Sequence, residues 1–264
     1  MYPELFKIGN FQISSFGLMV AIAFLAAYWV SSLEFKRKGL SENLLSNAFL
    51  AVIIGGIGGA KILYVIENVP ISQLISNPLG YLLSRGGLTF YGGFIGAVIL
   101  LLIVAKRSKT SFWKIGDAIS PSLALAYAIG RIGCFLVGDD YGIKSDLPWA
   151  ISFPKGLPPT TERVHPTQLY EVVAMTVVFV IIWKIRKKPA PNGWLFSIYF
   201  ILAGLERFFI EVVRSTTPSP IPHLSVAQVM AIVLIAVGAI KLIQINSLKP
   251  QPEPNTSSAK KKRR

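Results

Sequence analysis

Long apolar runs broken by short polar clusters recur from about residue 13 to residue 244. Each run approaches the roughly 20 residues that a helix needs to cross a bilayer core. The pattern predicts seven transmembrane helices, over about 13–33, 45–66, 88–105, 115–137, 167–185, 193–213 and 225–244. An odd number of crossings puts the chain ends on opposite sides. Four basic clusters fall on alternate connections: Lys36-Arg37-Lys38, Lys106-Arg107 with Lys109, Lys184 with Arg186-Lys187-Lys188, and the terminal run Lys260 to Arg264. They therefore share one side, which the excess of Lys and Arg in cytoplasmic loops marks as the cytoplasm. The expected fold is an all-α polytopic membrane protein, amino terminus out and carboxyl terminus in, with a small extracytoplasmic cap.

Two outer connections exceed a turn. Residues 67–87 combine Pro70, Asn77-Pro78 and Gly80 with a short apolar stretch, which predicts an interfacial or re-entrant segment too short to cross. Residues 138–166 are polar and carry Pro148, Pro154, Pro158, Pro159 and Pro166; they predict the cap, with short β pieces such as 149–153. Residues 1–248 form the integral membrane domain, and 249–264 read as a disordered basic cytoplasmic tail resting on anionic lipid.

Composition narrows the class. With 52% hydrophobic and 15% charged residues the chain is not a soluble globule. One cysteine excludes an internal disulfide and, with two histidines, argues against a structural zinc site. The net charge of +14 lies in clusters between apolar runs, which suits a membrane surface and not a nucleic-acid-binding face. The first run lacks a small-residue cleavage site, so no removable signal peptide is expected.

Against this apolar background, residues 130–142 stand out: Gly130-Arg131-Ile132-Gly133-Cys134-Phe135-Leu136-Val137-Gly138-Asp139-Asp140-Tyr141-Gly142. An arginine inside a hydrophobic run costs several kcal/mol and is a functional candidate by default. At about 1.5 Å of rise per residue, Lys61 and Arg131 lie roughly 24 Å, and Arg207 roughly 21 Å, from the cytoplasmic starts of their helices. Glu171 and Tyr91 stand near the outer ends of theirs, and Glu211 shares a helical face with Arg207, four positions away. Five helices thus bring polar groups to one depth.

Each residue also has a plainer reading. Lys61 can snorkel to the interface, Arg207 and Glu211 can be a structural pair, and Asp139-Asp140 can shape a loop, with Asp140 accepting backbone N–H groups. Cys134 fits a small buried hydrophobe. Gly55-Gly56 with Gly58-Gly59, and Gly92-Gly93 with Gly96, read first as helix-packing surfaces.

The Gly130–Gly133 segment with Phe135, Gly138 and Gly142 resembles the signature of bacterial prolipoprotein diacylglyceryl transferases. Matching stretches cover almost the whole chain: Phe16 to Met19, Gly86 to Gly93, His165 to Glu171, and Arg207-Phe208 through Glu211 to Arg214. The resemblance implies transfer of a diacylglyceryl group from phosphatidylglycerol to the lipobox cysteine thiol of a preprolipoprotein. Glycerol 1-phosphate is released, at the outer leaflet of the bacterial inner membrane. The chemistry of that transfer needs cations on the phosphate and assigns catalytic roles to Arg131 and Arg207, with Tyr91 standing where the family's histidine would act unless the chemistry rests mainly on the cations. Phosphatidylglycerol contacts are expected from these arginines with Lys61, Gly92, Gly93, Cys134, Asp139 and Gly142. Glu171 and Glu211 orient the arginines. No metal or organic cofactor is implied, and the partners are the lipid and lipobox-bearing signal peptides. The chain departs from the family pattern at Tyr91, where histidine is common, at Cys134 (asparagine), at Asp139 (glutamate), and at Phe16 and Ala203, where an aromatic hydroxyl is common.

Two other classes compete with the transferase: a transporter whose charges line a pathway, and a non-catalytic lipid-binding or assembly relative. The charges gather towards one face and no internal repeat appears, which disfavours the transporter.

Overall fold

The computed structural model describes residues 2–8, 11–84, 87–214, 221 and 223–247. The expected tail at 249–264 lies outside them. A hairpin of β1 (Glu4–Ile8) and β2 (Phe11–Ser14) precedes α1 (Ser15–Arg37). Hydropathy starts the first span at residue 13, inside β2, because Ile13 merges with the apolar run; the strand signal there is the alternation Phe11-Gln12-Ile13-Ser14. Ser14 sets the boundary: its hydroxyl accepts from the Gly17 N–H at 3.0 Å.

The chain continues as α2 (Glu42–Asn68), α3 (Ile71–Ser76), α4 (Pro78–Leu83), α5 (Phe90–Arg107) and α6 (Phe112–Val137). The strands β3 (Ile151–Phe153) and β4 (Thr160–Val164) pair antiparallel, and α7 (Thr167–Ile185), α8 (Trp194–Ile210) and α9 (Val226–Ser247) follow. Helices α1, α2, α5, α6, α7 and α9 are long and apolar enough to cross a membrane, six among the described residues. The span expected at 193–213 is the 17-residue α8 continued by a 3₁₀ turn, Glu211–Val213. Its length is about 26 Å at 1.5 Å per residue. The protein is a predominantly helical, multi-pass membrane protein. Helices α3 and α4 have six residues each and bury none, so the 67–87 connection cannot cross.

Polar contacts hold the basic ends of the helices together. Glu34 of α1, 1% exposed, receives Arg186 Nε at 2.8 Å and Arg37 Nη2 at 2.6 Å. Asp117 of α6 accepts from the Gly193 and Phe196 N–H groups, both at 2.9 Å, capping α8, and lies 3.6 Å from Lys38 Nζ. The end of α1, the starts of α6 and α8 and the end of α7 therefore share one end of the bundle. Basic residues in the last turns of α1, α5 and α7 also complement the helix dipoles.

Helices α2 and α5 meet through glycine. A methyl group on Gly59 would overlap the Gly92 carbonyl, and one on Gly55 or Gly96 would strike the opposite backbone. Such contact lets two helices approach within backbone distance where lipid offers no hydrophobic drive to associate. Gly59→Ala should lower the thermal unfolding midpoint in detergent, by an overpacking cost of about 1–3 kcal/mol. Gly58→Ala, whose added methyl meets nothing within 4 Å, should raise it slightly, through helix propensity of up to about 1 kcal/mol.

Candidate functional site

At the other end of the bundle one carboxylate gathers the intramembrane cations. Glu171, in the second turn of α7, has no exposed surface. Its Oε2 pairs with Arg131 Nη2 of α6, and its Oε1 lies 3.1 Å from Arg207 Nη1 of α8 and 3.8 Å from Arg214 Nη1. The Tyr127 hydroxyl donates to the same Oε1 at 3.2 Å. Tyr127 precedes Arg131 by four residues and so shares its helix face. The expected meeting of Arg131 and Arg207 is therefore present, and Glu171 is its centre.

Both flanks of the cluster are also paired. Arg207 Nη2 lies 2.7 Å from Glu211 Oε2, one helical turn on. Glu211 Oε1 accepts from the Ser225 hydroxyl at 2.9 Å. Ser225 and Gln228 form a capping box at the head of α9: Ser225 Oγ accepts from the Gln228 N–H, and Gln228 Oε1 from the Ser225 N–H. This fixes Glu211, and through it Arg207, to α9.

On the α6 side, Gly138 closes the helix in the left-handed conformation, with φ +77°. The turn sends Asp139 and Asp140 back over the helix end. Sequence reasoning gives Asp140 backbone donors; the structure gives it guanidinium groups instead. Its carboxylate lies 2.9 Å from Arg131 Nη1 and 2.7 Å from Arg214 Nη2. Its backbone carbonyl accepts from the Thr167 hydroxyl at 2.8 Å, and the Asp139 carbonyl accepts from Gln168 Nε2.

The two neighbouring carboxyls titrate in opposite directions. Burial pushes Asp139 up, and the adjacent Asp140 charge adds to it. Burial also pushes Asp140 up, but Arg214 and then Arg131 outweigh it and hold this carboxyl below its ordinary range. The Asp140 side chain is 45% exposed, so solvent screens part of this pairing.

The other sequence candidates distribute as follows. Tyr91, in the first turn of α5, lies within electrostatic reach of Arg207 and Glu211. Cys134 is buried and its sulfur takes Arg131 Nη1 at 3.4 Å. Lys61, 7% exposed, donates to the Ser84 carbonyl at 3.0 Å and hydroxyl at 2.7 Å. It pins the α4–α5 connection onto α2, where Thr89 N–H also reaches the Ala60 carbonyl at 3.1 Å. At 7% exposure Lys61 is buried there and does not snorkel to the interface. Gly92 and Gly93 face α2, against Gly59 and Gly56, so their packing role is the one the geometry displays. Gly142 forms a bridge with Arg214, and a methyl group there would overlap the Val213 carbonyl. It is the point where the 138–166 segment crosses the end of α8. Sequence reasoning singled out neither Tyr127 nor Glu206; the first shares a helix face with Arg131 and the second is adjacent to Arg207, so both carried a positional signal.

A multi-helix membrane protein with a buried arginine–carboxylate cluster at one end of its bundle is a class suited to an anionic, lipid-borne substrate. The family profile described as Prolipoprotein diacylglyceryl transferase matches residues 3–244. Similar proteins include the phosphatidylglycerol–prolipoprotein diacylglyceryl transferases of Clostridium tetani (34% identical over 240 residues, 90% of this chain and 95% of the relative) and Pasteurella multocida (32% over 257 residues, 91% of each). That of Synechococcus elongatus is 33% identical over 258 residues, 94% of this chain and 88% of the relative. The chain belongs to the prolipoprotein diacylglyceryl transferase family.

Two outcomes follow from the cluster. Glu171→Gln leaves three arginines facing a neutral group, and removing one partner of a buried pair costs about 3–5 kcal/mol. A lowered unfolding midpoint, with the protein still inserted, is expected. For Asp140, a folded-state acidity stronger than the unfolded value stabilises the fold above pH about 4 and is lost as pH falls through and below that point. Asp140→Asn should therefore unfold at a lower temperature than the parent at pH 7, the gap closing as pH falls below the ordinary aspartate value of about 4.

Proposed function

We propose that this chain transfers the diacylglyceryl group of phosphatidylglycerol to the lipobox cysteine thiol of a preprolipoprotein, forming a thioether and releasing glycerol 1-phosphate. The observation that carries this reading is the convergence of Arg131 and Arg207, from separate helices, on the Glu171 carboxylate. Membership of the family supports the same substrates, which are those named for its relatives.

The reaction is substitution at a glyceryl carbon. Sulfur attacks, the carbon–oxygen bond to the phosphate breaks, and negative charge grows on the departing phosphate. Guanidinium groups fixed in a water-poor site stabilise such charge before it develops. They also grip phosphate oxygens with paired donors. Arg131 has a free donor for this: its buried Nε finds no hydrogen-bond acceptor among the described residues. Arg207, 25% exposed, is the more open of the two. Glu171 and Glu211 hold the forks in orientation. Tyr91 offers a hydroxyl on the α5 side, Cys134, Asp139 and Gly142 border the cluster at the end of α6, and Lys61 with Gly92 and Gly93 sets the α2–α5 wall. An apolar pocket of about 290 Å³ between α1, α2, α5 and α6, lined in part by Val20, Ala23, Phe24 and Ala126, reaches Gly130 beside Arg131. It gives an acyl chain room next to the phosphate site. The substitution itself requires neither metal nor organic cofactor.

In this reading the chain crosses the bacterial cytoplasmic membrane seven times, amino terminus outside. Residues 1–248 are the catalytic membrane domain, 138–166 the extracytoplasmic cap, and 249–264 a basic cytoplasmic tail.

The test is direct: incubate the purified protein with phosphatidylglycerol and a lipobox peptide, and weigh the peptide. Gain of one diacylglyceryl mass is expected; an unchanged peptide would return the chain to the non-catalytic reading. Arg131→Lys keeps the charge but loses the fork, and should cut turnover by about 10²–10³, the scale of one lost transition-state donor, while membrane insertion survives.

A further inference from the structure

Resting on the transfer just proposed, one requirement is unassigned: a thiol must lose its proton to become a competent nucleophile. Cations favour the thiolate but accept no proton. Tyrosine at its ordinary pKa of about 10 is a poor acceptor at neutral pH.

The carboxylates around the arginines differ in how they are engaged. Glu171 holds three arginines and a tyrosine. Glu211 holds Arg207 and Ser225. Asp140 bridges Arg131 and Arg214. Asp139 lies beside the buried Cys134 thiol and forms no ion pair among the described residues, and its own buried Oδ1 is without a hydrogen-bond partner there. Glu206 is the other carboxylate without an ion pair among the described residues, and it is the one that lies next to Arg207 on α8. Its Oε1 is buried and accepts no hydrogen bond from any described residue, and it forms no ion pair among them. Yet it belongs to the same electrostatic cluster, interacting with Glu171, Arg207, Arg131 and Arg214. The groups facing it are Tyr127 and Arg131 from α6, Glu171 from α7, Tyr199 and Arg207 on α8 itself, and Arg214 just beyond. Tyr199 precedes it by seven residues, on the same stripe of α8. An oxygen with an open lone pair, next in sequence to a proposed phosphate-binding arginine, is placed to receive a proton.

We propose that Glu206 is the acceptor of the thiol proton. The peptide S–H proton passes to the Glu206 carboxylate as the sulfur–carbon bond forms. The glyceryl carbon–oxygen bond breaks, its electron pair leaving on the phosphate oxygen that Arg131 and Arg207 hold. The proton then returns to water or to the departing phosphate, restoring the carboxylate.

Glu206→Gln removes the acceptor and keeps the shape. General-base catalysis contributes typically 10²–10⁴-fold, so kcat at pH 7 should fall at least about a hundredfold. The KM for phosphatidylglycerol should change little. The deficit should shrink as pH rises towards the thiol pKa of about 8.5. It should also largely vanish for a lipobox peptide carrying selenocysteine, whose selenol arrives ionised. Glu206→Asp, which retains a carboxylate one methylene short, should show the same thiol-selective loss at smaller size and decides the matter if the glutamine variant does not fold. Turnover within threefold of the parent at pH 7, or a loss equal for thiol and selenol and constant with pH, would overturn the assignment. Failure of the parent itself to modify either peptide would instead overturn the transfer.

Discussion

Everything at the candidate site depends on one buried negative charge. Like charges at contact distance repel by about 4 kcal/mol at an effective dielectric of 20, so Arg131, Arg207 and Arg214 cannot share a water-poor pocket unaided. Glu171 makes the arrangement possible by taking one guanidinium on one oxygen and two on the other. A carboxylate wholly out of water is itself costly unless paired, so anion and cations justify one another. The consequence is positional. Because α7 carries the carboxylate and α6 and α8 the cations, the three helices cannot slide relative to each other without breaking the set.

The opposite end of the bundle solves the same problem for a different purpose. Glu34 and Asp117 are nearly as buried as Glu171, but their partners are a helix terminus and residues of the basic clusters. Among the described residues, none of the buried Glu34 or Asp117 oxygens is without a partner. Around Arg131, by contrast, a buried donor and buried carboxylate oxygens remain unpaired. Structural ion pairs at one end are saturated and the candidate site at the other is not, and that contrast separates scaffold from chemistry more sharply than charge alone.

Hydropathy made most of the helical framework legible, because transmembrane helices must be apolar over a length set by the bilayer. The helices begin and end within a few residues of the expected spans. The hairpin before α1 did leave a signal, the alternation Phe11-Gln12-Ile13-Ser14 after the turn-forming pair Gly9-Asn10, but hydropathy alone merges Ile13 with the apolar run that follows. The convergence of Arg131 and Arg207 was legible from depth alone. What depth could not supply was partnership, such as the contact of Lys61 with Ser84 on the α4–α5 connection. Only the left-handed turn at Gly138 brings Asp140 back onto Arg131. The Ser225–Gln228 capping box emerged only with the structure, and its link to Glu211 requires the return of α9 against the end of α8.

The two carboxylates that touch Arg131 are not equivalent, and the difference bears on how a phosphate would enter. Glu171 is sealed, so withdrawing it would strand the buried Arg131 and leave the partly buried Arg207 and Arg214 without their shared counter-ion. Asp140 is 45% exposed, sits on a turn outside the helices, and bonds the same guanidinium from the open side. A phosphodiester brings one charge and acceptor oxygens of the kind Asp140 already presents to Arg131, the arginine it shares with the proposed phosphate site. On the proposed reading, it is therefore Asp140 that a phosphate would displace, since a half-solvated carboxylate regains water when it leaves whereas a buried one does not. Glu171 would stay as the fixed counter-ion, so that the arginines keep their geometry through the exchange. A site built this way remains electrostatically satisfied while empty and stays pre-arranged for an anion once one arrives.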